Sequence, residues 1–428
     1  MLFKNITMLD EDLNVKNNMY IGILDDKIDY IGNTAPEKDY GEGYEGKGKL
    51  AVSAFYNAHA HSPMTLLRGY GENMGLQDWL EKKIFPFEAK LNGDDVYWGT
   101  LLAMAESIRY GVVSSSDMYY FCDRMAEAVL HSGAKNNISR GIVNFSAQSI
   151  KEQASYAEIG SLFKDYNNAG NGRIKVDMSI HGEYTSNPDT VAALYEYAKD
   201  LGINMHLHLS ETKFEHEECK KRHGKTPAQY FNSLGVFDVK TSAAHCVWLE
   251  GEDFDIFAQK GVTVATCPAS NLKLASGIAN IPLLLQKGVN VAIGTDSVSS
   301  NNNLNMIEEM KFMACAAKVR DYDPTAVTPG ETLHAATKAG AISQGREDCG
   351  VLKTGNKADI AVFDIDKPHM YPVHDILTNL VYSASGSDVV LTMADGKVLY
   401  KNGEYKTIDI EKTLFETDQS KTRILGEL

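Results

Sequence analysis

The sequence predicts an α/β protein: a closed (β/α)₈ barrel of the TIM type, carrying a small β-sandwich made by its two ends. Three observations predict it. Eight short apolar runs recur between residues 50 and 297, helical segments separate them, and both ends of the chain carry a different, period-two pattern.

Residues 1–50 come first, as one part of the β-sandwich. Within them MYIGILDDKIDYIG alternates apolar and polar positions about an Asp-Asp turn, the signature of a hairpin with one buried face. From there to residue 345 the pattern is that of the barrel. The runs are LAVSAFYNAH (50–59), GVVSSSDMYY (111–120), ISRGIVNFSA (138–147), RIKVDMSIHG (173–182), INMHLHLSE (203–211), KTSAAHCV (240–247), GVTVATCPAS (261–270) and VNVAIGTDS (289–297). Amphipathic segments such as TVAALYEYAKDLG and ENMGLQDWLEKKIFPFEAKL lie between most of them, often with a glycine at the helix end. Strands joined by crossover helices run parallel, and eight of them close into a barrel whose chemistry gathers at the strand C-termini. Over 346–428 the period-two pattern returns in KADIAVFDID and VVLTMADGKVLYKNGEY, with DG and NG turns. The two ends therefore pair in one small β domain flanking the barrel of residues 51–345.

Composition narrows the function. The 428 residues are 43% hydrophobic and 23% charged, ordinary for a soluble globular chain able to bury a sizeable core. No run of eighteen apolar residues could span a bilayer, and MLFKNITMLDEDLN lacks the basic, apolar and small-residue succession of a secretory signal. A cytoplasmic protein with no membrane partner is expected. A formal charge of −15 argues against nucleic acid as a partner, because no basic stripe exists to displace counterions from phosphates. Small molecules fit better. The six cysteines, at 122, 219, 246, 267, 315 and 349, form no CxxC pair, which excludes a zinc knuckle and a disulfide framework and reads as reduced, mostly buried thiols.

The chemistry starts at NAHAHSPMTLLRG, residues 57–69. Residues i and i+2 of a strand share a face, so His59 and His61 aim both imidazoles into the barrel mouth. His208 ends the fifth run, His245 the sixth and Asp296 the eighth. Neutral imidazoles with one carboxylate are the ligands that zinc and ferrous iron accept. His206 shares a strand face with His208 and either could ligate; His208 is preferred because it lies nearer the strand end and just before Glu211. The segment EHEECKKRH, with His216, Cys219 and His223 on a similar face, reads as a solvated charged helix without a metal role, and it is not HExxH. His181-Gly182-Glu183 supplies half of a nucleobase-deaminase zinc motif, but no PCxxC completes it, so that class is rejected.

Taken together, NAHAHSPMTLLRG, HLSET, AAHCVWL, CPASNLKLASGIANIP and GTDSVSSNNNLNM resemble the amidohydrolase superfamily, in the branch of 5-methylthioadenosine and S-adenosylhomocysteine deaminases. The likeness runs from about residue 50 to the C-terminus. It implies one divalent metal, zinc before iron or manganese, held by His59, His61, His208 and Asp296. Glu211 would be the proton shuttle that also meets the base, His245 would position the attacking water, and Asp296 would double as a proton carrier. Glu88 would take the ribose hydroxyls, Arg140 an amino-acid carboxylate and His181 the purine edge. The implied reaction is hydrolytic deamination of an adenosine derivative, a small nucleoside, to an inosine derivative and ammonia. Alternatives are a related enzyme acting on guanine, a pterin or an s-triazine ring, and a non-catalytic barrel scaffold. Many similar enzymes assemble through barrel helices, so a homo-oligomer is expected.

Three departures qualify the likeness. NFSAQSIKEQAS carries no second arginine after Arg140, Lys151 being its one cation, which leaves the 5′ substituent open among methylthio, homocysteinyl, hydrogen and hydroxyl. The strand enters the motif as VSAFYNAHAH, without a preceding Pro-Gly. The fourth run ends SIHGEY, with no lysine to bridge a second metal, so a single ion per chain is expected.

Overall fold

The computed structural model describes the whole chain except Ala147 and the side chains of Leu76 and Gln77. Eight strands form the barrel: Phe55–Ala60, Val112–Tyr119, Lys135–Arg140, Ile174–Ile180, Met205–Leu209, Thr241–His245, Thr263–Thr266 and Val291–Ile293. Each pairs in parallel with the next. The ring closes where a parallel bridge joins Ala60 to Asp296 and the Asp296 amide donates to the His59 carbonyl at 2.9 Å. Almost every strand residue is buried, as expected for strands packed between a filled interior and an outer layer of helices.

The two ends of the chain build a separate nine-stranded mixed sheet, joined where Lys49–Ser53 pairs antiparallel with Ile360–Asp364 and parallel with Leu2–Leu9. The expected hairpin is present as Val15–Leu24 and Lys27–Gly32, with Asp25 of its Asp-Asp turn at φ 53°. Phe3, Ile6, Ile21, Ile28, Ile360 and Leu391 give this sheet a core of its own.

Three details differ from the sequence reading. The run 50–59 is two strands rather than one: Lys49–Ser53 belongs to the terminal sheet, and after Ala54 the chain enters the barrel as Phe55–Ala60. Both pieces are buried on both faces, so no change of polarity marks the break. The third barrel strand is Lys135–Arg140, earlier than the run 138–147, whose last residue lies outside the described residues. Its first half is polar yet buried, because Lys135 bridges Asp359 and Asp395 while Asn137 donates to Asp177 at 2.9 Å. The segment EHEECKKRH forms helix Lys213–His223, but Glu215, His216 and Cys219 are buried. Sequence charge density averaged over the helix concealed that inward face.

All six cysteines are free, five of them buried and Cys315 exposed. Among the described residues no helix is long and apolar enough to cross a membrane.

Candidate active site

Closing the barrel brings the first and eighth strands together, and the residues around the two motifs are shaped for that contact. Asn57 donates from Nδ2 to Thr295 Oγ1 at 2.7 Å and accepts the Thr295 amide at 2.9 Å. Gly294 passes so close to His59 that a β-carbon there would sit 2.7 Å from the His59 Cβ. Just beyond, Asp117 is buried and accepts both the amide and the hydroxyl of Ser62, at 2.6 and 2.8 Å, fixing the chain as it leaves His61.

The imidazoles are held so that their bare nitrogens converge. A backbone carbonyl only accepts, so His61, 2.7 Å from Met118 O, carries its proton on Nδ1. His208 does likewise, its Nδ1 2.6 Å from the His181 carbonyl. In the neutral rings the Nε2 atoms are therefore lone pairs, and they face each other at 3.3 Å. The His59 Nε2 is buried with no hydrogen-bond partner, 3.6 Å from Asp296 Oδ1, and His61 Nε2 lies 3.4 Å from the same oxygen. Lone pairs and a carboxylate oxygen packed this closely repel unless a cation sits among them. Three imidazole nitrogens and one carboxylate oxygen make a donor set that suits a divalent ion of borderline softness.

Burial holds His59 near its neutral form, pushing its pKa down to about 4, and drives His208 well below the ordinary range. Burial would raise Asp296, but the His59 ring and the neighbouring histidines outweigh it and hold that carboxyl well below the usual carboxylate range. Its Oδ2 accepts the hydroxyls of Ser270 and Ser300 at 2.6 and 2.9 Å. His245 and Asp296 both occupy left-handed backbone, φ 68° and 59°, a strained conformation for side-chain-bearing residues that clusters at functional sites.

A second group faces this cluster. Burial pushes the Glu211 carboxyl upward, and its segment is clamped by Glu215, which accepts the amides of Ser210 and Glu211 at 2.9 and 2.8 Å. His245 donates from Nδ1 to Asn271 Oδ1 at 2.9 Å, leaving Nε2 3.8 Å from Glu211 Oε2. Burial opposes charging of that ring, yet the carboxylates of Glu211 and Asp296 raise its pKa above the ordinary value.

His61, His208, Glu211, His245 and Asp296 line an open cavity of about 740 Å³, counted with the solvent at its mouth, and Trp79, Ile84, Tyr120 and Tyr184 are among its walls. Glu88, at the end of the short helix Phe85–Glu88, reaches the cavity beside Tyr119. Burial pushes its carboxyl up to about 7, against the lowering effect of the Tyr119 hydroxyl. His181 also lines the cavity and is pushed down to about 4 by burial.

The structure thus gathers His61, His208, His245, Asp296, Glu211, Glu88 and His181 around one cavity, with His59 buried directly behind its wall. Arg140 lies outside its walls. It faces an adjoining cleft that shares Glu88 and Tyr120, its guanidinium 4.7 Å over the Tyr120 ring and its Nε donating to Glu158 at 2.6 Å. His206 sits behind His59, with Nε2 2.8 Å from His59 Nδ1. Among the described residues His216, Cys219 and His223 join no group of converging donors. His216 contacts the Ser210 hydroxyl, and Glu183 of the His-Gly-Glu triplet is paired with Arg222 and His223. A second converging trio, His59, His245 and Cys267, reuses His59, and burial holds its thiol well above the ordinary range. Sequence reasoning missed Ser270, Asn271, Ser300 and Glu215. The first three lie in the CPASN and SNN segments that carried the resemblance, but no single feature announced their roles.

Fold and site together define a class: a parallel (β/α)₈ barrel with histidines and an aspartate converging at its C-terminal mouth, the layout of metal-dependent hydrolases. The Amidohydrolase family profile matches residues 50–399, and the chain belongs to that family. It is 41% identical to the 5-methylthioadenosine/S-adenosylhomocysteine deaminase of Thermoanaerobacter pseudethanolicus, over 98% of each chain. The Dictyoglomus thermophilum enzyme of the same name is 40% identical, over 98% of this chain and 97% of that one. Among solved structures, a zinc-bound adenosine deaminase from Xanthomonas campestris superposes with a TM-score of 0.93 at 29% identity, covering 99% of this chain and 98% of the other.

Proposed function

We propose that the chain is a metal-dependent hydrolase that replaces the 6-amino group of an adenosine derivative by oxygen, giving an inosine derivative and ammonia. The observation that carries this reading is the facing pair of imidazole lone pairs beside Asp296, with Glu211 and His245 opposite them in one cavity. Near-full-length identity to the two named deaminases supports the substrate class.

His59, His61, His208 and Asp296 would hold one ion, zinc in this reading. Bound there, it supplies Lewis acidity, which brings the pKa of water from about 15.7 to roughly 7. The chain's own residues do the rest. Glu211, desolvated and therefore a stronger base than a carboxylate in water, takes the proton of the attacking water and delivers it to ring N1. His245, whose hold on a proton is strengthened by the carboxylates of Glu211 and Asp296, donates from Nε2 and aims the water at C6. Asp296, supported by two serine hydroxyls, carries a proton to the departing ammonia. His181 meets the purine edge, and Glu88, once ionised, accepts from the ribose hydroxyls. Arg140, already tied to Glu158, is left to the 5′ substituent at the cleft beyond Tyr120.

Ammonia release measured with adenosine, 5′-deoxyadenosine, 5′-methylthioadenosine, S-adenosylhomocysteine, guanine and an s-triazine tests the proposal. The nucleosides are expected to react and guanine and the triazine to lag by orders of magnitude. Preferential turnover of guanine or the triazine would overturn it.

A further inference from the structure

The three imidazoles at the mouth are not fixed in the same way. His61 and His208 each donate from Nδ1 to a backbone carbonyl, at 2.7 and 2.6 Å, and a carbonyl has no proton to offer in return. In the neutral rings this leaves both Nε2 atoms bare. The His59 Nδ1 instead meets His206 Nε2 at 2.8 Å, and a histidine nitrogen can play either part.

The two possible arrangements have opposite consequences. If His59 donates, its Nε2 is a lone pair facing Asp296 and the other two rings, available to a cation. If His206 donates, the proton of His59 moves to Nε2. There it blocks the converging site and points toward Asp296 Oδ1 at 3.6 Å, too far for a hydrogen bond. That leaves a buried donor without an acceptor, which is costly. Both rings are almost completely shielded, at 0% and 1% exposure, so water does not arbitrate. Strand geometry places His206 there: it shares the inward face of Met205–Leu209 with His208, one layer deeper in the barrel.

We infer that His206 is a positioning residue: by accepting from His59 Nδ1 it fixes the tautomer of that ring, and through it the affinity of the site for a divalent cation. The inference rests on His59, His61, His208 and Asp296 being the cation ligands. Partners standing behind metal-binding histidines typically contribute about 10- to 100-fold to affinity.

The test is Zn²⁺ affinity, measured by chelator competition on the full-length protein, for wild type, His206→Leu and His206→Gln. Leucine removes the acceptor, and glutamine restores one through its side-chain carbonyl. The expected result is a loss of about 10- to 100-fold for leucine and recovery to within about threefold of wild type for glutamine. Should His206→Leu fail to fold, His206→Met fills the space with only a weak acceptor and is expected to behave as leucine. Nitrogen-15 spectra of the metal-free wild type should show His59 protonated at Nδ1, and the leucine variant should show that tautomer lost or mixed. Equal affinity for wild type and leucine, or an equal loss for leucine and glutamine, overturns the inference. A wild type that binds no Zn²⁺ fails earlier, at the ligand assignment itself.

Discussion

Replacing Glu211 by glutamine separates proton transfer from every other property of the site. Glutamine keeps the shape of the side chain, and the Glu215 clamp on the amides of Ser210 and Glu211 is untouched, so the segment should stay in place. What is lost is a carboxylate 3.8 Å from His245 Nε2. Two unit charges at that separation interact by about 4 kcal/mol at an effective dielectric constant of roughly 20. That attraction, with the contribution of Asp296, is what raises the His245 pKa against its burial. The variant should therefore show His245 titrating lower than in wild type and kcat reduced by about 10²- to 10⁴-fold, a barrier increase of about 3–5 kcal/mol. Because the proposed ligands are His59, His61, His208 and Asp296 and not Glu211, Zn²⁺ content by mass spectrometry should match wild type. Ammonia release gives kcat, and histidine NMR gives the titration. A kcat within about threefold of wild type, or a parallel loss of metal and activity, would refute this division of labour.

Two further outcomes follow from the same geometry. Glu88 is pushed up to about 7, so KM for a nucleoside should fall as pH rises through that value, and Glu88→Gln should abolish this limb. The raised carboxyl means the folded state binds more protons than the unfolded one between the ordinary value of 4.5 and about 7. Stability contributed by this group is thus lost as pH rises across that window, and thermal melts of Glu88→Gln should lack that decline. Gly294→Ala would place a methyl 2.7 Å from the His59 Cβ and 2.8 Å from its amide nitrogen. Overpacking of this kind typically destabilises by about 1–3 kcal/mol, and here it should also weaken Zn²⁺ binding, because the displaced residue is one of the proposed ligands; unchanged melting and affinity would show that the strands can part without harm.

Much of the site was legible because each residue ends an apolar strand, and a strand's period tells which side chains share a face. His59, His61, His208, His245 and Asp296 follow from that rule, whereas the part expected of Glu211 came from the family resemblance. The rule also marks its own limit: His206 and His208 obey it equally, and only depth in the barrel, visible in three dimensions, separates the ring that converges with His61 from the ring that stands behind His59. Polarity misled wherever a polar residue was buried with a partner distant in sequence. Lys135 begins a barrel strand because Asp359 and Asp395 neutralise it, and those partners lie more than two hundred positions away. His216 and Cys219 face inward on a helix whose overall charge suggested solvent. The Arg140–Glu158 pair was equally hidden, since nothing about Glu158 in sequence connects it to the end of the third strand.

The central claim is that three imidazoles and one aspartate hold a single divalent ion on which turnover depends. Protein stripped by chelation and titrated with Zn²⁺, while ammonia release is followed, tests it most directly. Activity should start near zero, rise in proportion to added metal and break at one equivalent per chain. Full turnover by the stripped protein, or a break at two equivalents, would contradict the account.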